Sequence, residues 1–244
     1  NGISLEGSAG EIVGIAGVSG NGQRELAEAV FGLREIEGGE VSINGEAVVA
    51  PTPVSVRDSG LAYVPEERMR DGAIGEFTVA ENLMLVDYDR PPYSRRGVLS
   101  FSAIKERCTD LANRYTVKTP SIHTPTRNLS GGNIQKVVIA REFSCDAGVL
   151  VVAQPTRGVD IGAAEYIHER LLEQRLNGAA ILLISEDLDE VMQLSDRIIV
   201  VLEGEIRGEV ARDDAGVASS GVLMSGVHQE PAWRDGCLGV GNDL

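Results

Sequence analysis

Positive charge is in short supply in this sequence: 22 lysines and arginines face 37 aspartates and glutamates, for a formal net charge of −15. Such a chain has no basic surface to neutralise phosphates, which argues against a nucleic-acid partner. The charge implies only a soluble, self-repelling surface. Cysteine is scarce as well. The three present, Cys108, Cys145 and Cys237, are odd in number and widely scattered, which fits a reducing compartment better than a disulfide framework. No C-x-x-C occurs, and His123, His168 and His228 lack metal-ligand spacing, so no metal site of this chain's own is expected. Long apolar runs are missing too. Stretches such as Val149–Ala153 and 198–202 fall far short of the ~20 residues a spanning helix needs, and no signal peptide is expected. No internal repeat is found.

What remains is sufficient for a large globular unit. The 244 residues are 43% hydrophobic, enough for one large domain or a domain with a subdomain. "GEIVGIAG" (residues 10–17) is a short apolar run bounded by glycines and reads as a buried strand. "QRELAEAVFGL" follows with helical spacing that places Leu26, Val30 and Leu33 on one side. "GEVSING" reads as a strand and turn, and "LAYVPEER" as a strand entering a polar loop. Residues 78–115 carry helical patterns broken at Pro91 and Pro92, with "FSAIKERCTDLANRY" the clearest helix. From Leu129 the chain alternates again: a helix through Glu142, "GVLVVAQ", "AAEYIHERLLEQRL", "AAILLIS", "DLDEVMQL" and "RIIVVLEG". Alternating strands and helices call for a parallel sheet covered on both faces. After Ala211 the pattern fades: "GVLMSG" is expected to form a helical turn, with 1–228 as the domain and 229–244 as a disordered tail.

Between the first strand and the first helix lies "GVSGNGQR", comprising Gly17, Val18, Ser19, Gly20, Asn21, Gly22, Gln23 and Arg24. The glycines fit the phosphate-loop template G-x-x-x-x-G-K-[ST], and the strand–loop–helix context separates such a loop from chance. The chemistry does not fit: Gln23 stands where the lysine belongs and Arg24 where the magnesium-binding hydroxyl belongs. A second signal is "LSGGNIQK", from Leu129 through Ser130, Gly131, Gly132 and Asn133 to Lys136. A hydroxyl and bare backbone N–H groups at a helix N-terminus suit a phosphate, although the same residues taken alone fit an ordinary cap equally well.

Taken in order, these pieces resemble the ATP-binding cassette of ABC transporters along nearly the whole chain. The closer resemblance is to the second cassette of the double-cassette subunits in simple-sugar and nucleoside importers, carried by "GEIVGIAGVSGNGQRELAEAVFGL", "YVPEER", "LSGGN-x-QKVVIARE", "AQPTRGVDIGA" and "LLISEDLDEVMQLSDRI". Ala153-Gln154 places it nearest the nucleoside importers, while Ile134 departs from the glutamine usual there. The resemblance implies an α/β, P-loop NTPase-type cassette. Its core sheet should be mostly parallel, with N-terminal antiparallel strands and an inserted helical subdomain at about 78–145.

Carried over position by position, the resemblance implies a degenerate site. Gln23 forfeits the lysine's charge, Ala153 removes the magnesium carboxylate, and Gln154 replaces the glutamate that orients or deprotonates the water. Glu66 occupies the Q-loop glutamine's place and Glu186 that of the switch histidine. Arg24 is expected to be salt-bridged elsewhere. By contrast Leu129, Ser130, Gly131, Gly132 and Asn133 keep the signature, and are expected to complete the site for ATP and Mg2+ whose Walker loop lies on another cassette, with Asp160 in the D-loop contacting that partner. A homodimer would be inert, so the resemblance implies a different second cassette, in the family usually the N-terminal half of the same polypeptide, with this chain its C-terminal portion. It also implies transmembrane permease subunits, indirectly a solute-binding protein, and a peripheral place on the cytoplasmic face of the cell membrane. The competing readings are a silent scaffold cassette that only docks on the permease, and a non-transport ABC ATPase.

Overall fold

The computed structural model describes residues 2–17 and 20–211. Strand β1 (Ile12–Ala16) is wholly buried and delivers the chain to the glycine loop and helix α1 (Gln23–Val30). Two-residue strands β2 (Ser42–Ile43) and β3 (Glu46–Ala47) form an antiparallel hairpin. Its turn, Asn44-Gly45, has φ of 54° and 80°, the left-handed pair a two-residue hairpin requires. Helix α2 (Pro53–Asp58) opens on a Thr52–Ser55 capping box and leads to β4 (Leu61–Val64).

After a π-helical turn at Arg68–Gly72, α3 (Val79–Met84) is capped by Thr78 and Glu81. A hairpin of β5 (Ser94–Arg95) and β6 (Val98–Leu99) precedes α4 (Phe101–Arg114). These elements make up the helical insert. Fully buried Asn82 ties it together, donating to the Ile74 carbonyl and to Thr126 Oγ1, both at 2.9 Å. Helix α5 (Gly131–Phe143) then returns to the sheet, followed by β7 (Val149–Ala153), α6 (Ile161–Leu176), β8 (Ala180–Ser185), α7 (Leu188–Leu194), β9 (Arg197–Leu202) and β10 (Glu205–Ala211).

The sheet runs β10-β9-β1-β8-β7-β4, parallel throughout except for β10 at one edge. Successive side chains feed opposite faces. Ile12, Val64, Leu150, Val152, Ile181 and Leu183 enter one core with residues of α3, α4, α5 and α6. Val13, Ile15, Tyr63, Val151, Leu182 and Ile184 enter another with Ala27, Phe31 and Val56. Both faces are thus covered, which is why the central strands read as unbroken apolar runs.

Two local expectations need correction. Leu33 does not continue the apolar side of α1: the helix ends at Val30, Leu33 is 55% exposed, and Phe31 is buried instead. The stop is Gly32, at φ 74°, where a Cβ would lie 2.8 Å from the Pro51 and Thr52 backbone. Strand β10 was not expected, because "EIRGEVA" is a half-exposed edge whose charges hide its alternation. The "GVLMSG" turn, the 228/229 boundary and the tail lie outside the described residues.

Candidate functional site

In the parallel part of the sheet all strands end on the same side, so the loops after β1, β4, β7 and β8 meet there. Between them is a cavity of about 180 Å³ bordered by Gly20, Gln23, Arg24, Glu66, Ala153, Gln154 and Glu186, together with Tyr63 and Asp71. Four loops distant in sequence thus bring together Gly20, Gln23, Arg24, Glu66, Ala153, Gln154 and Glu186. Ser19 and Val18 are outside the described residues.

The glycine loop is shaped by contacts within the chain. Gly22, at φ 98°, opens α1, and its carbonyl accepts from Leu26 N at 2.9 Å. Asn21 faces the β9–β10 turn: its carbonyl accepts from Gly204 N at 2.9 Å and its Oδ1 from Glu203 N at 3.1 Å. Gln23 is 6% exposed and folds back under the loop. A Cβ on Gly17 would lie 2.7 Å from the Val201 carbonyl oxygen of β9 and 2.4 Å from Gln23 Nε2, so a side chain there would clash with backbone and displace this amide. That Nε2 has no hydrogen-bond partner among the described residues.

Acidic side chains outnumber basic ones around the cavity. Glu25, Glu66, Asp71 and Glu186 border it against one guanidinium, Arg24. As expected, Arg24 is engaged elsewhere: Nε pairs with Glu28 at 2.7 Å and an Nη lies 3.6 Å from Asp71. Burial pushes the Glu28 carboxyl up, but hydrogen bonds from Arg24 and Arg34 outweigh it and hold the group below its ordinary value. Asp71 is held low by its hydrogen bond from Arg70. Burial raises the Tyr63 phenol to about 12, reinforced by the charges of Glu28 and Asp71. Glu66 accepts from Arg157. Gln154, at φ 49°, uses its Oε1 to accept from Glu186 N at 3.2 Å. The set does not fit magnesium: Ala153 is buried without an oxygen to offer and Arg24 brings a positive charge.

The signature segment lies apart; none of residues 129–133 borders the cavity. Ser130 is exposed at the N-cap of α5 and makes no side-chain cap bond. Its Oγ instead accepts from Asn133 Nδ2 at 2.8 Å, and Asn133 Oδ1 accepts from Lys118 N at 2.8 Å. This leaves the first-turn N–H groups without the Ser130 side chain as acceptor. Gly132 is buried, and a Cβ there would meet Ala163 Cβ at 3.1 Å and Asp160 Oδ2 at 3.4 Å. Its missing side chain therefore makes room for α6 of the same chain, not for an incoming group. Asp160 is exposed and caps α6, Oδ1 accepting from Ala163 N at 2.9 Å.

Sequence reasoning passed over Tyr63 and Asp71 at the cavity, and Arg157 beside it. Tyr63 reads as one more apolar residue of β4, and Asp71 reaches the site only through the π-helical turn. The placement of "PTRGVD" directly after β7 was the signal for Arg157.

A family model described as "ABC transporter" matches residues 1–157. The chain is 44% identical over 232 residues to the Guanosine import ATP-binding protein NupO of Bacillus subtilis (strain 168), covering 95% of this chain and 46% of that protein. It is 42% identical over 225 residues to the Nucleoside import ATP-binding protein NupA of Lactococcus lactis subsp. cremoris (strain MG1363), covering 92% and 44%. The chain therefore spans about half the length of the curated relatives it matches. A crystal structure of a nucleotide-free ATP-binding cassette from an ABC transporter superposes with a TM-score of 0.75 at 23% identity, over 91% of this chain and 88% of that one. That likeness establishes the fold.

Proposed function

Because the chain belongs to the ABC transporter family, we propose that it is the second cassette of an ATP-binding subunit in an importer for nucleosides or simple sugars. Its own cleft is degenerate, and its signature completes the ATP site of a partner cassette. The observation that carries this reading is the contrast between two surfaces. The cleft opposes four carboxylates to one tied-up guanidinium, whereas Ser130 stands exposed at the start of a 13-residue helix.

Hydrolysis needs phosphates held, magnesium held and a water oriented. In the proposed assembly the partner's Walker loop holds ATP and Mg2+, the ion neutralising charge that develops on the transferring phosphate. This chain contributes Ser130 Oγ and the N–H groups of Gly131, Gly132 and Asn133, aimed at that charge by the dipole of α5. Leu129, half-buried against the core, anchors the segment. Asp160, beside Gly132, joins the interface. Gly17, Ser19, Gly20, Asn21, Gly22, Gln23, Arg24 and Glu66 remain as the loop and Q-loop of a cleft without Ala153 or Gln154 chemistry, and Glu186 adds charge repelling a γ-phosphate.

We place the cassette at 1–228 with the helical insert at about 78–145, and the partner in the N-terminal half of the same polypeptide. Permease subunits receive the closing motion, a solute-binding protein acts indirectly, and the assembly sits on the cytoplasmic face of the membrane. Among the described residues no helix is long and apolar enough to cross a membrane.

The test is Ser130→Ala in the assembled transporter with the partner cassette intact. Losing one donor aimed at developing charge costs about 3–4 kcal/mol, so ATP hydrolysis should fall hundreds-fold. Unchanged hydrolysis would leave the chain a scaffold that only docks on the permease. Gly132 is unsuitable for this test, since a side chain there disturbs α6 first.

A further inference from the structure

We propose that Arg68 and Arg157 form a crossed latch, which locks the loop after β4 to the loop after β7 and links both to the start of α5, so that engagement of a permease is passed on to the signature. The inference rests on the two-surface reading above and assigns it a mechanical link. β4 and β7 are parallel neighbours, with Val64 opposite Val152, so their loops leave the sheet side by side. From the first loop, the Arg68 guanidinium donates to the carbonyls of Arg157 and Gly158, the latter at 3.1 Å. From the second, the Arg157 guanidinium donates to Glu66 and lies 3.7 Å from Glu67. Each loop thus sends one arginine into the other.

A single bond between two loops is a hinge; two bonds in opposite directions fix their relative position. Arg68 also touches a third segment. A Cβ built on Gly131 would lie 2.8 Å from an Arg68 Nη and 3.4 Å from the Gly158 carbonyl. One planar guanidinium therefore fills the space where the Q-loop, the start of α5 and the approach to Asp160 converge. A displacement of residues 66–68 moves the carbonyls at 157 and 158, and with them the residue that caps α6 against Gly132. The Arg68 guanidinium is thus spent on the loop after β7. Neither arginine borders the cavity, so both are positioning residues.

The experiment compares the full two-cassette polypeptide, free and assembled with its permease, using Mg-ATP as the probe and reading kcat and KM for hydrolysis. With Arg157→Ala, hydrolysis by the free polypeptide should stay within about threefold, while stimulation by the permease falls about tenfold, the usual scale of a coupling between sites. Arg68→Lys should lose as much stimulation as Arg68→Ala, because an ammonium cannot span two carbonyls as a planar fork does. The charge exchange Glu66→Arg with Arg157→Glu should restore most of it. Unchanged stimulation in Arg157→Ala overturns the latch. So does an equal loss in free and assembled forms that the exchange fails to rescue, which would mark a merely structural pair. Ser130→Ala, measured alongside, separates the two ideas: if it leaves hydrolysis intact, the functional reading itself fails.

Discussion

Removing the Glu142 carboxylate should destabilise the chain more than any surface substitution. Glu142 is fully buried near the end of α5, and its neighbour Arg141 is 5% exposed. The carboxylate accepts from Arg141 Nε at 2.7 Å, pairs with Arg57 at 2.8 Å and lies 3.4 Å from Tyr63 N. Glu142→Ala strands Arg141 as a buried charge without its counter-ion, and breaking a buried pair from one side costs about 3–5 kcal/mol. In a domain of this size each kcal/mol moves the melting temperature by about 2–4 °C, so Tm should drop by about 6–20 °C. Arg57→Ala is the comparison. Arg57 is partly solvated, its side chain 24% exposed, and its loss leaves Glu142 still bonded to Arg141, so the cost should stay near a single charged hydrogen bond, about 1.5–3 kcal/mol. Thermal and urea unfolding of the chain measure both. A Glu142→Ala variant within about 1 kcal/mol of the parent, or less affected than Arg57→Ala, would refute the argument that the charge pair is buried and interdependent.

The isolated chain should release no phosphate from Mg-ATP above a heat-inactivated control, on the strength of Gln23, Ala153 and Gln154 together; magnesium-dependent release would overturn that. In the assembled transporter Gln154→Ala should alter hydrolysis only a few-fold, and a variant as inactive as Ser130→Ala would show that the degenerate cleft turns over. Acid should weaken the fold. Glu81, bonded by the Thr78 backbone, and Asp71, bonded by Arg70, are held below their ordinary values of 4.5 and 3.8. Their contribution is complete above those values and is lost as pH falls through the lower folded ones, so Tm should decline below about pH 4.5, and a Tm that rises from pH 6 to pH 3 would contradict it. Gly32→Val should cost at least the ~1–2 kcal/mol of a left-handed residue, with the clash against Pro51 and Thr52 added; an unchanged urea midpoint would show that the turn yields.

The parallel sheet was legible because burial on both faces leaves continuous apolar runs, as in "GVLVVAQ" and "AAILLIS". Strand β10 was not, since an edge exposes alternate residues and Arg207, Glu205 and Glu209 mask its period. The cavity positions were legible from motif order, because loops after parallel strands must converge at one side. Tyr63, Asp71 and the bonds from Arg68 to the loop after β7 were not, since they depend on where a π-helical turn sends the chain. Gly132 shows the difference most sharply. Sequence gives a reason for glycine at a phosphate site, while the fold gives a neighbour, Ala163, that already favours one.

The shared direction of the strands also leaves the molecule a quiet end. The loops that border the cavity leave the C-terminal ends of the strands, while the connections near Asp146, Asn177 and Asp196 lie at the other ends. Asn177 is exposed there as the C-cap of α6. A cysteine at that position would carry a fluorophore or spin label remote from both working surfaces. The native thiols Cys108 and Cys145 would compete poorly for the reagent, since burial lifts them to about 11 and about 12 and the thiolate is the reactive form. With Cys237 replaced, the chain could report its own movements without its chemistry being touched.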